Sequence, residues 1–454
     1  MATKRSISEK LSVGTKIGYG AGEFSSSVFF TISSFLLLNF LTDTVGLLPA
    51  LAGTALMIGK IWDAITDPAV GFLSDKTRTR WGRRRPWFLL AAIPFGIAFF
   101  FMFKNPGLEE QRSLFLWAML MYIILSTFYT CTNVPYNSLL PELTPDYDER
   151  TSVTGFKTVF AVMGTLIGAG ASLPLIAIMG EDTSAGFMLM GAIFGLLIAI
   201  SAATPFFATQ EPPFVEPVEK KYFFVQYKEA FSNTPYLLIL IPWFLNTMAV
   251  SVLMATLIYY FKYVFLNEQL LTVGMIILLV GSVAFVPLAI KASEKIGKRT
   301  AYIIGMTVTM LSVLAFAFFA HILGPISAYV IMLFAGIGFS THYVLPWAIV
   351  PDAIEHDYAE SGMRREGIYY GLWSFSIKVA SAMAAFIAGW VLSVTGFDAA
   401  LGDIQPETAL FGIRMLVGPA TALLILLANI VHWFYPIDRT RYDEIRAKIE
   451  ARES

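Results

Sequence analysis

MIGKIWDAITDPAVGFLSDKTRTRWGRRRPW, from Met57 to Trp87, opens as an apolar run that nevertheless holds Lys60, Asp63 and Asp67, and it ends in six Lys/Arg between Lys76 and Arg85. On a helix the three charges fall at i, i+3 and i+7, so they share one face and leave the rest of the surface to lipid. Each such charge costs about 2.5–3.5 kcal/mol at the centre of a membrane helix, and ionisable groups there face a bundle interior or a water-filled path. The basic run marks where the helix leaves the bilayer on the cytoplasmic side.

The whole chain agrees with that stretch. Its 454 residues are 56% hydrophobic, 15% aromatic and only 14% charged, outside the usual range of soluble domains, which predicts an all-α polytopic membrane protein. A formal net charge of −1 gives no electrostatic footprint for nucleic acid. Cys131 stands alone, so no intramolecular disulfide framework is expected. The histidines, His321, His342, His356 and His432, have no H-E-x-x-H spacing and no Walker A sequence appears. Metal hydrolysis and ATP-driven pumping therefore lack their residues, and neither enzymatic activity nor a cofactor is expected. The start, MATKRSISEKLSVGTK, is polar and basic with no apolar core, and reads as a cytoplasmic tail.

Apolar runs long enough to cross about 30 Å of hydrocarbon lie near 18–41, 48–74, 86–104, 113–141, 153–179 and 186–208, and again near 236–262, 268–291, 300–321, 325–351, 367–395 and 408–435. That predicts twelve transmembrane helices in two groups of six: a bundle over 1–208, a linker over 209–235 and a second bundle over 236–454. Most of the 32 Lys/Arg fall in the N-tail, the even-numbered loops, the linker and the C-tail, which places both termini in the cytoplasm.

The halves look like copies. Asp75, Lys76 and Gly82-Arg83-Arg84-Arg85 follow the second span, and Glu294-Lys295-Ile296-Gly297-Lys298-Arg299 follow the eighth. An acid, a base, a glycine and a basic cluster thus recur in place, and the pattern resembles the signature loop of the major facilitator superfamily, whose two six-helix halves bind substrate between them near the midplane. Within it the chain resembles the glycoside-pentoside-hexuronide:cation symporters, the melibiose permease type. The resemblance rests on Ile61-Trp62-Asp63-Ala64-Ile65-Thr66-Asp67-Pro68, Arg80-Trp81-Gly82, Pro86-Trp87, Gly18-Tyr19-Gly20 with Glu23, Thr42-Asp43, Val134-Pro135-Tyr136 with Ser138-Leu139, and Arg364-Arg365-Glu366-Gly367.

The resemblance implies that Asp63, Asp67 and Thr130 hold the coupling cation. Two carboxylates one helical turn apart and a hydroxyl from a neighbouring helix suit a hard Na⁺; a proton on one carboxylate is the alternative ion. A structural role as partners of Lys60 and Lys378 is the competing reading of the two acids. Lys378, deep in the eleventh span, matches a lysine that in the family faces the helix-two aspartates. Lys60, Asp75, Arg83 and Lys378 are expected to form a gating charge network. The two sugar-binding aspartates of the permease type are absent here: Asn133 stands at one position and Ser25-Ser26-Ser27 at the other, with Glu23 beside it. Asn133 still gives and takes hydrogen bonds, Glu23 supplies an acid, and Tyr129, Tyr136, Tyr343, Trp347 and Trp373 offer rings for a pyranose to stack on.

The expected activity is cation-coupled symport of a sugar, glycoside or sugar acid by a monomer in the cell (inner) membrane, with the bilayer, the cation and the small solute as partners. A second cargo stays open. Leu345-Pro346-Trp347, Pro351-Asp352 and Val134-Pro135-Tyr136 also resemble the Na⁺-lysophospholipid symporter branch, whereas Arg364-Arg365-Glu366-Gly367 resembles the bacterial sugar carriers. A lipid-modifying membrane enzyme would need a nucleophile with its base or a metal cluster, which four scattered histidines do not provide.

The charge distribution makes a testable statement about topology. Reporters fused after Gly180 and after Phe397 should report the periplasm and one within Val215–Lys220 the cytoplasm; a cytoplasmic signal at Phe397 would break the twelve-span arrangement.

Overall fold

The computed structural model describes residues 11–144, 146–211, 230–363 and 365–453, with backbone alone at 147, 148 and 453. Arg364, the first ten residues and most of the expected linker lie outside the described residues. Among the described residues the only extended pairing is a lone bridge between Thr79 and Gly82. All else is helix and turn.

The helices are α1 (Val13–Thr44), α2 (Pro49–Lys76), α3 (Arg85–Met102), α4 (Gln111–Leu143), α5 (Tyr147–Ala177) and α6 (Thr183–Ala208). They are followed by α7 (Thr234–Val264), α8 (Gln269–Ala284 with Val286–Ile296), α9 (Lys298–Leu323), α10 (Pro325–Ser361), α11 (Glu366–Val394) and α12 (Glu407–Trp433). Ten of these are long and apolar enough to span a membrane, and α8, bent by 43° at Phe285, makes an eleventh. The twelfth is α2, whose 28 residues suffice for length and whose apolar character is cut by Lys60, Asp63 and Asp67. The expected all-α arrangement of two sets of six is therefore present.

Three boundaries differ from the sequence reading. α10 continues to Ser361, ten residues past the expected end at 351, because the polar run after Pro351 stays helical outside the apolar zone. α8 breaks at Phe285, just before Pro287, which lacks the N–H that a continuous helix would use. The expected C-tail holds a further helix, α13 (Arg439–Glu453). Its Ile445 and Ile449 enter the buried core of the second set of helices, and its Arg452 donates to the Tyr358 and Ala359 carbonyls at the end of α10.

The chain divides into two compact units, Met1–Glu216 and Pro217–Ser454. In the first, α1 packs on α5 and α6, α2 on α4, and α3 on α4 and α6; in the second, α7 packs on α11 and α12, α8 on α10, and α9 on α10 and α12. Each pairing recurs six helices later. The repeat reaches single hydrogen bonds. α1 ends in a π turn where Val45 N–H donates to Phe40 O and Leu47 N–H to Leu41 O; α7 ends in one where Phe265 donates to Tyr260 O and Asn267 to Phe261 O.

The basic loops repeat as well. Glu142, after the in-helix Pro141 of α4, pairs with Arg83 and, at 3.0 Å, with Arg84. Asp352, after Pro351 of α10, takes Lys298 at 2.7 Å. Asp75 completes the first loop's network, 2.9 Å from Arg84 and 3.6 Å from Arg83. Glu211 then caps the loop by accepting from the backbone N–H groups of Arg83 and Arg84 at 2.9 and 3.0 Å.

The two π turns differ in one residue whose backbone is left-handed: Gly46 at φ 78° in the first unit and Leu266 at φ 56° in the second. A side chain there costs about 1–2 kcal/mol, and Leu266, largely exposed, recovers little of it by packing. Gly46→Leu should lower the melting temperature of the purified protein, while Leu266→Gly should leave it unchanged or raise it. Equal losses in both variants would contradict this account of the turns.

Candidate functional site in the first unit

The charged face of α2 meets a polar stripe on α4. Ser126, Thr130, Asn133 and Asn137 of α4 follow helical spacing along one side. Thr130, fully buried, has its hydroxyl 2.5 Å from Asp63 Oδ1 and 3.2 Å from Asp67 Oδ1. The contact is fixed from both sides: Trp62 Nε1 donates to Thr127 Oγ1 at 2.9 Å, and Gly59 leaves room for the Tyr122 ring. Lys60, half-buried, lies one turn before Asp63 and within its electrostatic reach.

A hydroxyl has one proton to give, so it serves one carboxylate fully and the other only in part. Two carboxylates and the Thr130 hydroxyl, with an ammonium nearby, form a hard oxygen donor set. Its ligand chemistry fits an alkali cation or a proton. Among the described residues no group of three or more His, Cys, Asp or Glu is placed to hold a metal.

Lower on the same α4 face the groups link into a chain across three helices. Glu23 of α1 lies 3.2 Å from Lys157 Nζ of α5, Lys157 donates to Asn137 Oδ1 at 2.5 Å, Asn137 to Asn133 Oδ1 at 2.8 Å, and Asn133 to Ser26 Oγ of α1 at 2.9 Å. α1 and α5 approach closely enough for this because Gly20 lies against the α5 backbone and Gly164 against that of α1: a Cβ would sit 2.9 Å from Phe156 C at Gly20 and from Phe24 O at Gly164. The Tyr129 ring of α4 stacks on Phe29 of α1. Tyr136 is buried, its ring stacked on Tyr19 at 4.5 Å, and each of the two tyrosines donates its hydroxyl to the other's carbonyl.

The structure thus brings Asp63, Asp67 and Thr130 together and joins Glu23 to Asn133. It places Asp75 and Arg83 in the loop network described above. In the second unit Lys378 is half-buried on α11, near the Ser251–Ser381 contact of 3.2 Å that joins α7 to α11. Trp347 and Tyr343 of α10 are 47% and 46% exposed, whereas Trp373 of α11 is fully buried. The sequence reading missed Lys157, Asn137 and Ser26's partnership with Asn133. Lys157 stands near the end of its span, where a lysine reads as a loop charge, and nothing in the sequence joins it to Glu23 or Asn137.

Comparison with known proteins follows the same lines. The family model described as MFS/sugar transport protein matches residues 18–439. An uncharacterized symporter of Synechocystis is 32% identical over 98% of each chain. A glucuronide carrier protein homolog of Escherichia coli is 27% identical over 98% of this chain and 97% of its own. A sodium-dependent lysophosphatidylcholine symporter of Danio rerio is 24% identical over 95% of this chain and 87% of its own. Among solved structures, an inward-facing bacterial homolog of the lysosomal transporter Spinster superposes with a TM-score of 0.69 at 14% identity, covering 93% of this chain and 95% of that one, which shows the fold. With twelve helices in two repeated sets and a match over nearly its whole length, the chain is a multi-pass membrane protein of the MFS/sugar transport protein family, among the glycoside-pentoside-hexuronide symporters of the major facilitator fold.

Proposed function

We propose that this protein couples a cation gradient, Na⁺ or H⁺, to uptake of a sugar, glycoside or sugar acid by alternating access. The observation that carries the reading is the single Thr130 hydroxyl bonded to both Asp63 and Asp67 on the same α4 face that one turn later presents Asn133. The cation binds at Asp63, Asp67 and Thr130. For the solute, the first unit offers Glu23, Asn133 and Lys157, with Tyr136 packed behind, and the second unit offers Tyr343, Trp347, Trp373 and Lys378.

The polar chain suits a hydroxylated ring. Amides and hydroxyls both give and take hydrogen bonds, as sugar hydroxyls do, and Lys157 provides a positive site for the carboxylate of a sugar acid. A ring of this kind replaces one by one the bonds that Asn133, Asn137 and Ser26 make with each other. Lysophospholipid is the second reading, favoured by the similarity to the Danio rerio symporter over 95% of this chain. An acyl chain, however, makes no use of the linked polar groups of Glu23, Lys157, Asn137 and Asn133, which a hydroxylated ring engages. The setting is the cell inner membrane, and the charge distribution favours both termini in the cytoplasm.

The experiment is a thermal-shift screen of purified protein against methyl glycosides, free hexuronides and lysophosphatidylcholine, each with and without Na⁺. A ligand that binds the folded state raises its apparent stability. A glycoside or hexuronide should give the shift, larger with Na⁺ present. Asn133→Leu should weaken that ligand by about 1–3 kcal/mol, because it leaves buried hydroxyls unpaired, with the Na⁺-only shift retained. A shift with lysophosphatidylcholine alone would replace the sugar reading by the lipid one.

A further inference from the structure

Around Trp373 the second unit holds a buried polar cluster whose other members neither the family likeness nor the charge pattern singles out. Three rings of α10, α7 and α11 stack nearly parallel: His342 lies 4.7 Å from Trp243 at 17°, and Trp243 lies 4.5 Å from Trp373 at 15°. One turn after Trp243, Asn246 donates Nδ2–H to the Tyr302 hydroxyl of α9 at 2.9 Å, and that hydroxyl lies 3.0 Å from His342 Nδ1. Because the hydroxyl accepts from Asn246, its own proton is free for His342 Nδ1, and the neutral ring then carries its proton on Nε2. All five side chains are more than nine-tenths buried.

Three atoms of this cluster have no hydrogen-bond partner among the described residues: Asn246 Oδ1, Trp243 Nε1 and Trp373 Nε1. Buried polar atoms are nearly always paired, with protein or with water, so three orphans in one cluster call for a water or a solute group to meet them. One acceptor beside two donors selects for chemistry. A hydroxyl accepts from an indole N–H and donates to the amide oxygen; a carboxylate oxygen would face Oδ1 with no proton to give, and an ammonium would leave both N–H groups unmet. Trp347, half exposed, stands edge-on to both indoles, at 6.1 Å and 75° to Trp243 and 5.9 Å and 65° to Trp373. Its face offers an apolar surface for a ring whose hydroxyl reaches inward.

We propose that Asn246, Trp243 and Trp373 form a hydroxyl-binding subsite of the second unit that takes one ring hydroxyl of the transported solute. Tyr302 and His342 are positioning residues: they hold the Asn246 amide so that Oδ1, and not Nδ2, faces the solute. The proposal rests on the reading of the chain as a symporter of hydroxylated rings.

The test uses the full chain in proteoliposomes and the methyl glycosides of xylose, glucose and glucuronic acid, each with its monodeoxy derivatives. In the wild type, loss of one particular hydroxyl should raise KM by about tenfold or more, since a site built to bond a hydroxyl rejects the analogue lacking it. Asn246→Leu should raise the parent KM by a similar factor and abolish that one penalty, leaving the other deoxy penalties and the half-saturating cation concentration unchanged. Tyr302→Phe should reduce the same penalty in part. A general loss of structure would instead raise KM for every analogue alike. If Asn246→Leu does not accumulate in the membrane, Trp373→Phe, which keeps an aromatic ring and removes the N–H, is scored in the same way. Deoxy penalties that persist at wild-type size in the folded variants overturn the subsite alone. Absence of uptake of any methyl glycoside by the wild type overturns the sugar reading and the subsite with it.

Discussion

Two carboxylates in an apolar helix are tolerable only where something takes up their charge, and the way α2 and α4 meet this requirement organises the first unit. Asp63 and Asp67 share one hydroxyl, Thr130, with one ammonium, Lys60, a turn away. Replacing an ion pair of this kind by apolar side chains often costs nothing or even stabilises, so stability alone gives no reason to keep it. Under the proposed reading, an exchangeable cation does. The pinning of Trp62 to Thr127 and the fit of Tyr122 over Gly59 keep the two helices at the distance the oxygens need.

The same stripe of α4 carries the consequence downward. Thr130 and Asn133 are three residues apart, so a cation that draws on the Thr130 oxygen and a solute that draws on the Asn133 amide act on one rigid helix. Coupling between ion and solute then requires no more than that each bind best to the same setting of α4. The internal repeat supplies a frame. The proline–acid step that fixes α4 to its basic loop through Glu142 recurs in α10 through Asp352, and each of these helices carries its unit's polar groups a few turns away. In α10 the group is His342, which meets the Tyr302 hydroxyl of α9 and through it Asn246 of α7, so the second unit offers amide, hydroxyl and ring contacts beside the charge of Lys378.

Much of this was legible in the sequence because charge in an apolar run is rare and conspicuous. Asp63, Asp67, Lys378 and the basic loops stood out for that reason, and the count of twelve helices followed from length. Lys157 did not stand out, since a lysine near a span's end reads as a loop charge until Glu23 and Asn137 are seen around it. Asn246, Tyr302 and His342 are neutral residues separated by 56 and 40 positions, and no spacing rule joins them. Tyr136 and Trp373 read as rings offered to a ligand, yet Tyr19 and Trp243 cover one face of each. The length of α10 was missed because its last ten residues, DAIEHDYAES, leave the apolar pattern while keeping helical bonds.

The most direct measurement of the central claim is solute movement by Asp63→Asn in membrane vesicles under two regimes, exchange at equilibrium and uptake driven by an imposed cation gradient. If Asp63 and Asp67 form the coupling site, the variant still exchanges solute across the membrane but no longer accumulates it against a gradient, because ion and solute cease to move as a linked pair. Full gradient-driven accumulation by Asp63→Asn would show the carboxylates to be structural and would contradict the account.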